Sequence, residues 1–234
     1  MRTFYTSDIH GDFKSFMELL QYVEYNPAGD KLIIGGDMIN RGSQSAQVLQ
    51  WAKQHHESFP DMVHVLIGNH EEMMIWFMNE LSPMWMEFGG DQTISSFKKV
   101  FGSGRGWDTA EEYAIWLETL PLIYEDEHGI YTHAGINIGE SKENQPRDIV
   151  WINQKELLEL NEDILQKWTE GKYIYRGHNP VSTVHIKGQF VQCDLGNGTF
   201  QAGQAALALV DVKKGCYYRC EKDGQITERV IEDF

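Results

Sequence analysis

Cysteine and positive charge are scarce in this chain, and no long apolar run occurs. Three cysteines among 234 residues, all late (Cys193, Cys216 and Cys220), make neither a disulfide framework nor a zinc-ligand spacing, so buried or half-buried thiols are expected. Lysine and arginine number 20 against 35 Asp and Glu, a formal charge of −15. Nucleic-acid phosphates need a basic footprint, so this balance argues against a nucleic-acid partner and against docking on anionic lipid. No stretch approaches the ~18 apolar residues of a membrane span. The opening Met1–Asp8 has too short an apolar stretch, too soon charged, for a signal peptide. A cytoplasmic protein is predicted, without low-complexity tracts or internal repeats. The composition, 41% hydrophobic and 24% charged, suits one α/β domain over residues 1–234, with a helical or loop insertion around 79–120.

Against that background, five short pieces stand out. They are Asp8-Ile9-His10-Gly11-Asp12, Gly36-Asp37-Met38-Ile39-Asn40-Arg41-Gly42, Gly68-Asn69-His70-Glu71, His133-Ala134-Gly135 and Gly177-His178. Each follows a β-prone or apolar run, and each combines glycine with oxygen donors or imidazole. Hard oxygen ligands mixed with imidazole, on loops at strand ends, describe a two-metal site.

The runs themselves place these loops. Thr3–Thr6, Lys31–Gly35 and Met62–Ile67 read as strands, and the helical periodicity of Phe13–Val23 is capped by Asp12. Ser43 is expected to open a second helix, and Met73–Met78 to belong to a third. Strand, loop and helix repeated in this way imply crossover units and a partly parallel sheet, with ligands at the carboxyl ends of its strands. Ala110–Leu120 is a predicted helix, 122–125 and 129–132 a hairpin delivering His133, Glu156–Trp168 an amphipathic helix, and Tyr173–Arg176 a strand delivering His178. The stretch Val181–Ile231 is expected to form a second, largely antiparallel sheet.

In their order and content the five pieces resemble the signature of calcineurin-like metallophosphoesterases. The Glu after Asn69-His70 and the Arg41-Gly42 pair are most similar to PPP-type protein serine/threonine phosphatases, the phage lambda and small bacterial forms being nearest in size. The resemblance implies a four-layer αββα sandwich with mixed sheets and a dimetal site at the strand ends. It assigns Asp8, His10 and Asp37 to one divalent ion, and Asp37, Asn69, His133 and His178 to the other. Manganese is the expected metal, with iron or zinc as alternatives. It further implies a phosphomonoester hydrolase in which a hydroxide held by the two ions attacks in line. His70 then serves as general acid, and Arg41 and Asn69 bind the substrate, a phosphorylated protein or small phosphoester. Nothing here bears on oligomeric state.

Four positions depart from the family pattern, the mildest being Ser7, where glycine is usual. Asn40 stands where an acid usually orients the general-acid histidine, so His70 loses the charge that would hold its proton. Ile67 and Asn153 stand where arginines are common; Arg176, beside His178, is the expected replacement clamp, with Arg147 and Arg105 behind it. The missing acid is shared with symmetrical diadenosine tetraphosphate hydrolases, which makes that activity, or another nucleotide phosphoesterase, the alternative. A weakened phosphate-binding pseudophosphatase is the alternative of another class. His64 and His185 are read as structural strand residues, and His55, His56 and His128 as solvated surface. Asp12, Glu71 and Asp194 are read as capping or supporting groups rather than ligands. The cluster of Trp76, Phe77, Met78, Met84, Trp85, Met86 and Phe88 is read as core and lid.

Overall fold

A computed structural model of the chain describes residues 1–201 and 204–233. Strands and helices alternate first: β1 (Thr3–Thr6), α1 (Phe13–Tyr22), β2 (Lys31–Ile34), α2 (Ser45–Ser58), β3 (Val63–Val65) and α3 (Asn69–Met78). Helices α4 (Met84–Glu87), α5 (Gly90–Phe101) and α6 (Gly106–Glu118) follow, then β4 (Ile123–Glu125) and β5 (Ile130–Thr132). Next come α7 (Gln154–Leu158), α8 (Glu162–Thr169), β6 (Ile174–Arg176), β7 (His185–Lys187) and β8 (Phe190–Gln192). The last strands are β9 (Ala206–Asp211), β10 (Cys216–Glu221), β11 (Ile226–Val230) and β12 (Glu232–Asp233). No helix among the described residues is long and apolar enough to cross a membrane.

The strands form two six-stranded mixed sheets, ordered β11-β10-β9-β1-β2-β3 and β12-β7-β8-β6-β5-β4. Side-chain alternation explains how they stack, because successive residues of a strand face opposite sides. Phe4, Leu32, Ile34, Leu207 and Leu209 pack with the apolar faces of α1, α2, α3, α5 and α6. Their neighbours Tyr5, Ile33, Ala208 and Val210 turn the other way, onto Tyr131, Tyr175 and Val191 of the second sheet. Ile130, Ile174 and Phe190 then face Leu157 of α7 and Leu165 of α8. Helix, sheet, sheet and helix are therefore the four layers. Between the sheets Tyr5 donates its hydroxyl proton to the Thr132 carbonyl (2.9 Å) and stacks near Tyr131 (5.8 Å).

Several local expectations change. The stretch from Val181 to Ile231 does not build a sheet of its own. β7 and β8 join the second sheet, while β9 pairs antiparallel with the free edge of β1 (Phe4↔Asp211, Tyr5↔Val210) and brings β10 and β11 with it. Alternation tells which face of a strand is buried but not which edge it will find. The helix expected over Glu156–Trp168 is two helices, broken where the Asn161 side chain accepts the Ile164 N–H (3.1 Å) as a cap. Helix α2 begins at Ser45 rather than Ser43, and α3 begins at Asn69, so the third motif lies in its first turn. The Asp12 cap is found, accepting from Ser15 N (3.2 Å).

The peripheral histidines are more engaged than expected. His55 is half-buried and stacks on Trp51 (3.7 Å), and His56 Nδ1 donates to the Val63 carbonyl at 2.8 Å. His128, also half-buried, lies 3.1 Å from Glu127. His64 stacks on Tyr124 (3.7 Å), and burial, then the charge of Lys31, lowers its pKa from 6.5 to about 4. Because the folded state resists protonation, its contribution to stability is complete above pH 6.5 and is lost as the pH falls towards 4. A His64→Phe variant should therefore show a shallower fall in melting temperature across that window than the unaltered protein. Identical slopes in calorimetry at matched pH values would remove His64 from the account.

Candidate active site

The five motif segments converge where the ends of β1, β2, β3, β5 and β6 meet. Asp8 and His10 follow β1, Asp37 and Asn40 follow β2, Asn69 and His70 open α3 after β3, and His133 and His178 follow β5 and β6. Ligand atoms of His10, Asp37 and His70 lie within 4.8 Å of one another, as do those of Asp37, His133 and His178. Asp37 belongs to both groups. Asp8 is adjacent, its carboxylate accepting the His178 backbone N–H at 3.1 and 3.2 Å.

The backbone that carries these groups is bent into an uncommon shape. Of the nine non-glycine residues with positive φ among those described, six are Asp8, His10, Asp37, Asn40, Arg41 and His178. Left-handed backbone costs an L-residue roughly 1–2 kcal/mol, so such clustering needs compensation from its surroundings. Glu71 supplies much of it. Fully buried, its carboxylate accepts N–H bonds from Asp37 (2.7 Å), Gly68 (2.9 Å), Met38 (2.8 Å) and Ile39 (3.2 Å). Burial, then the charge of Asp37, raises the Glu71 pKa to about 7.

The donor set suits divalent metal. His10 Nδ1 donates to the Ile39 carbonyl and His133 Nδ1 to the Gly35 carbonyl, each at 2.9 Å, which leaves both Nε2 lone pairs facing the site. His133 Nε2 and His178 Nδ1 then meet the same Asn69 Oδ1, at 2.9 and 3.0 Å. For His133, whose proton is committed to Gly35, this sets lone pair against lone pair, which a cation between them would relieve. Burial, then the Arg41 charge, holds the His10 pKa well below its ordinary value; burial lowers that of His133, and burial with His133 lowers that of His178 to about 3. Neutral imidazole is the metal-binding form. Burial and the neighbouring Asp8 charge push the Asp37 pKa well up, as crowding of carboxylates does. Asp8, His10, Asp37, Asn69, His133 and His178 could thus hold two ions, and hard donors with imidazole but no thiolate admit manganese, iron or zinc.

At His70 the amide polarity is decisive. Asn40 Oδ1 accepts from the Trp85 indole N–H (2.9 Å) and the Thr93 hydroxyl (2.8 Å). An indole can only donate, so the Asn40 oxygen must face Trp85 and its Nδ2 must face His70. Nδ2 donates to His70 Nδ1 at 2.6 Å, which places the single proton of neutral His70 on Nε2. Burial, then His10, lowers the His70 pKa far below its ordinary value and keeps the ring neutral. Arg41 NH2 sits 3.2 Å from that Nε2 and NH1 2.6 Å from His10 Nε2. Two donors cannot both be satisfied by one neutral ring. Exposed Arg41 is the side that yields, because Asn40 is locked from behind.

Other expected residues lie elsewhere. Arg176 is fully buried, donating to Asn179 Oδ1 at 2.5 Å, and so cannot reach a substrate in the open site. Arg176 ends a strand, Ile174–Arg176, whose three residues are all buried. Arg147 is engaged by Glu72 through Nε and NH2 (3.0 and 2.5 Å). Asn153 caps α7, accepting from Lys155 N and Glu156 N. Asp194 accepts the Gly196 N–H (2.7 Å) and is in neither ligand group. Trp85, Thr93 and Thr199, whose hydroxyl meets Arg41 NH1 at 2.6 Å, were not singled out as site residues by the sequence. Only the aromatic cluster around Trp85 offered a signal.

A sequence model described as calcineurin-like phosphoesterase matches residues 1–197. The chain is 31% identical over 136 residues to a protein of Chromobacterium violaceum named bis(5'-nucleosyl)-tetraphosphatase, symmetrical, covering 58% of this chain and 44% of that one. A Methylobacillus flagellatus protein of the same name is 28% identical over 136 residues, with the same 58% and 44% coverage. The chain thus spans less than half the length of these relatives. Among solved structures it resembles a putative diadenosine tetraphosphatase (TM-score 0.59, 17% identity, 97% of this chain and 92% of that one). It also resembles a Saccharomyces cerevisiae protein serine/threonine phosphatase (TM-score 0.65, 17% identity, 99% and 80%). Likeness at that identity concerns the fold.

Gly177 tests the placement of Asp8. A Cβ there would lie 1.9 Å from Asp8 Oδ2 and 2.2 Å from Ser7 Oγ, so Gly177→Ala must displace the carboxylate. Divalent-metal affinity in titration calorimetry should fall at least about tenfold, as for a lost orienting contact; unchanged affinity would take Asp8 out of the ligand set.

Proposed function

The chain belongs to the calcineurin-like phosphoesterase family, and on that premise we propose that it hydrolyses a phosphoanhydride, with a symmetrical dinucleoside tetraphosphate as the model substrate. As a family member it is a phosphoester hydrolase. The observation that carries the finer reading is the donation from Asn40 to His70. A neutral imidazole with no carboxylate behind it is a weak proton donor, but its Nε2–H can still hydrogen-bond a leaving oxygen. A terminal phosphate, with a pKa of roughly 6, departs as an anion without being protonated. A serine alkoxide needs a proton. The site therefore suits a nucleoside diphosphate leaving group better than a phosphoprotein. The names of the curated relatives support the same choice, and the phosphoprotein activity expected from the motifs becomes the second reading.

Divalent ions bound by the six residues named above, manganese by preference, would neutralise phosphoryl oxygens and activate the attacking water. Arg41, free to leave His10 and His70, can fork two phosphate oxygens with its planar guanidinium. Asn69 faces the same space and can add a side-chain contact. Trp85 and Thr93 hold Asn40, and Asn40 holds His70 in the tautomer whose proton points at the leaving group.

An Asn40→Asp variant reverses that polarity, since its carboxylate would accept from His70 Nδ1–H and favour imidazolium. Turnover of a phosphoserine peptide should rise relative to diadenosine tetraphosphate by about tenfold or more, within the range of general acid catalysis. An unchanged ratio would sink the leaving-group argument. Absence of turnover on every substrate, with manganese bound, would favour the phosphate-binding pseudophosphatase instead.

A further inference from the structure

The segment around α4 presents apolar surface at the edge of the site. Met84, Met86 and Phe88 are 36%, 40% and 48% exposed, while Trp85 between them is fully buried. The cluster expected to serve as core and lid is thus divided: Trp85 anchors the segment through Asn40, and its neighbours face outward. Phe88 meets the His70 ring edge-on, with centroids 6.3 Å apart and planes at 82°. The backbone that follows is pinned to the same wall. Gly89 is left-handed (φ +99), and a Cβ there would lie 2.9 Å from Arg41 N and 3.3 Å from Asn40 Cβ. Phe88 N–H donates to the Trp85 carbonyl (3.2 Å). An aromatic ring on a fixed backbone, half in water and beside His70, is placed for contact with a flat ligand.

We propose that Phe88 is a specificity residue that stacks with the nucleobase of the departing nucleoside diphosphate. This rests on the phosphoanhydrase reading above, because His70 marks the side from which the leaving group departs. A leaving group that begins at His70 and ends in a planar base passes the Phe88 ring. Stacking would select substrates with a base over inorganic polyphosphate of equal charge. It is tolerant of base identity, since every nucleobase offers a π face.

The experiment compares ADP with inorganic pyrophosphate as ligands of the manganese-loaded protein, by titration calorimetry. In Phe88→Ala the ratio of ADP to pyrophosphate affinity should fall about tenfold, within the range of base–aromatic stacking, and Phe88→Trp should restore it. An unchanged ratio in Phe88→Ala overturns the proposal. So does an equal loss for both ligands, which would make Phe88 a support for the Asn40–Arg41 turn. Hydrolysis of phenyl phosphate separates a third case: a KM increase as large as the loss of ADP affinity would put the ring against the leaving oxygen and overturn the base assignment. The functional premise is read separately, by turnover of diadenosine tetraphosphate in the unaltered protein. Failure there with the ADP effect intact would correct the reaction and leave the stacking contact standing.

Discussion

The site depends on one buried carboxylate that is expected to touch neither metal nor substrate. Glu71 receives the N–H groups of Asp37, Met38, Ile39 and Gly68, so it binds the turn after β2 to the start of α3. Those amides have left the sheet ladder and lie where water is scarce, and each left unpaired would cost about 1–3 kcal/mol. With them satisfied, Asp37 can hold its left-handed backbone and bring its carboxylate between the two histidine groups. Its Oδ1 in turn accepts the His70 N–H (3.0 Å). The clamp therefore fixes both Asp37, the carboxylate common to the two clusters, and His70 beside it.

Charge is arranged around that clamp in layers. Asp8, Asp37, Glu71 and Asp194 are all buried at one end of the sheets, a crowding that divalent cations would relieve. Arg176 offsets part of it from beneath. Burial lowers its pKa to about 10, which still leaves it charged at neutral pH. Its Nε and NH1 have no hydrogen-bond partner among the described residues, so its contribution to the acidic cluster is the field of a buried cation rather than a set of bonds. The same acidity that argues against nucleic-acid binding is compatible with phosphate chemistry, because the attraction would come from divalent cations at this cluster and from Arg41.

Much of this was legible because metal ligation demands particular residue types, and strand-end loops place them near short apolar runs. Asp8, His10, Asp37, Asn69, His133 and His178 all lie at the converging strand ends. Sheet membership of the last strands was not legible, since β9 found the edge of β1 from roughly two hundred residues away. Arg176 was not legible as a buried residue, because its place beside His178 in sequence does not tell that the strand carrying it is buried along its length. Asn153 and Arg147, considered for their bearing on a phosphate clamp, turned out to be occupied by a helix cap and an ion pair.

The asymmetry at His70 marks the boundary between the two kinds of knowledge. Residue type alone established that position 40 carries no charge, and so that the histidine lacks an acid behind it. Which end of the Asn40 amide faces the ring was decided by Trp85 and Thr93, 45 and 53 residues further along. An amide can donate or accept with nearly the same shape, so its polarity belongs to its neighbours. The sequence by itself determined the ligand chemistry, because donor atoms are properties of side chains. The tertiary structure decided the tautomer and the ring beside it, because those are properties of contacts.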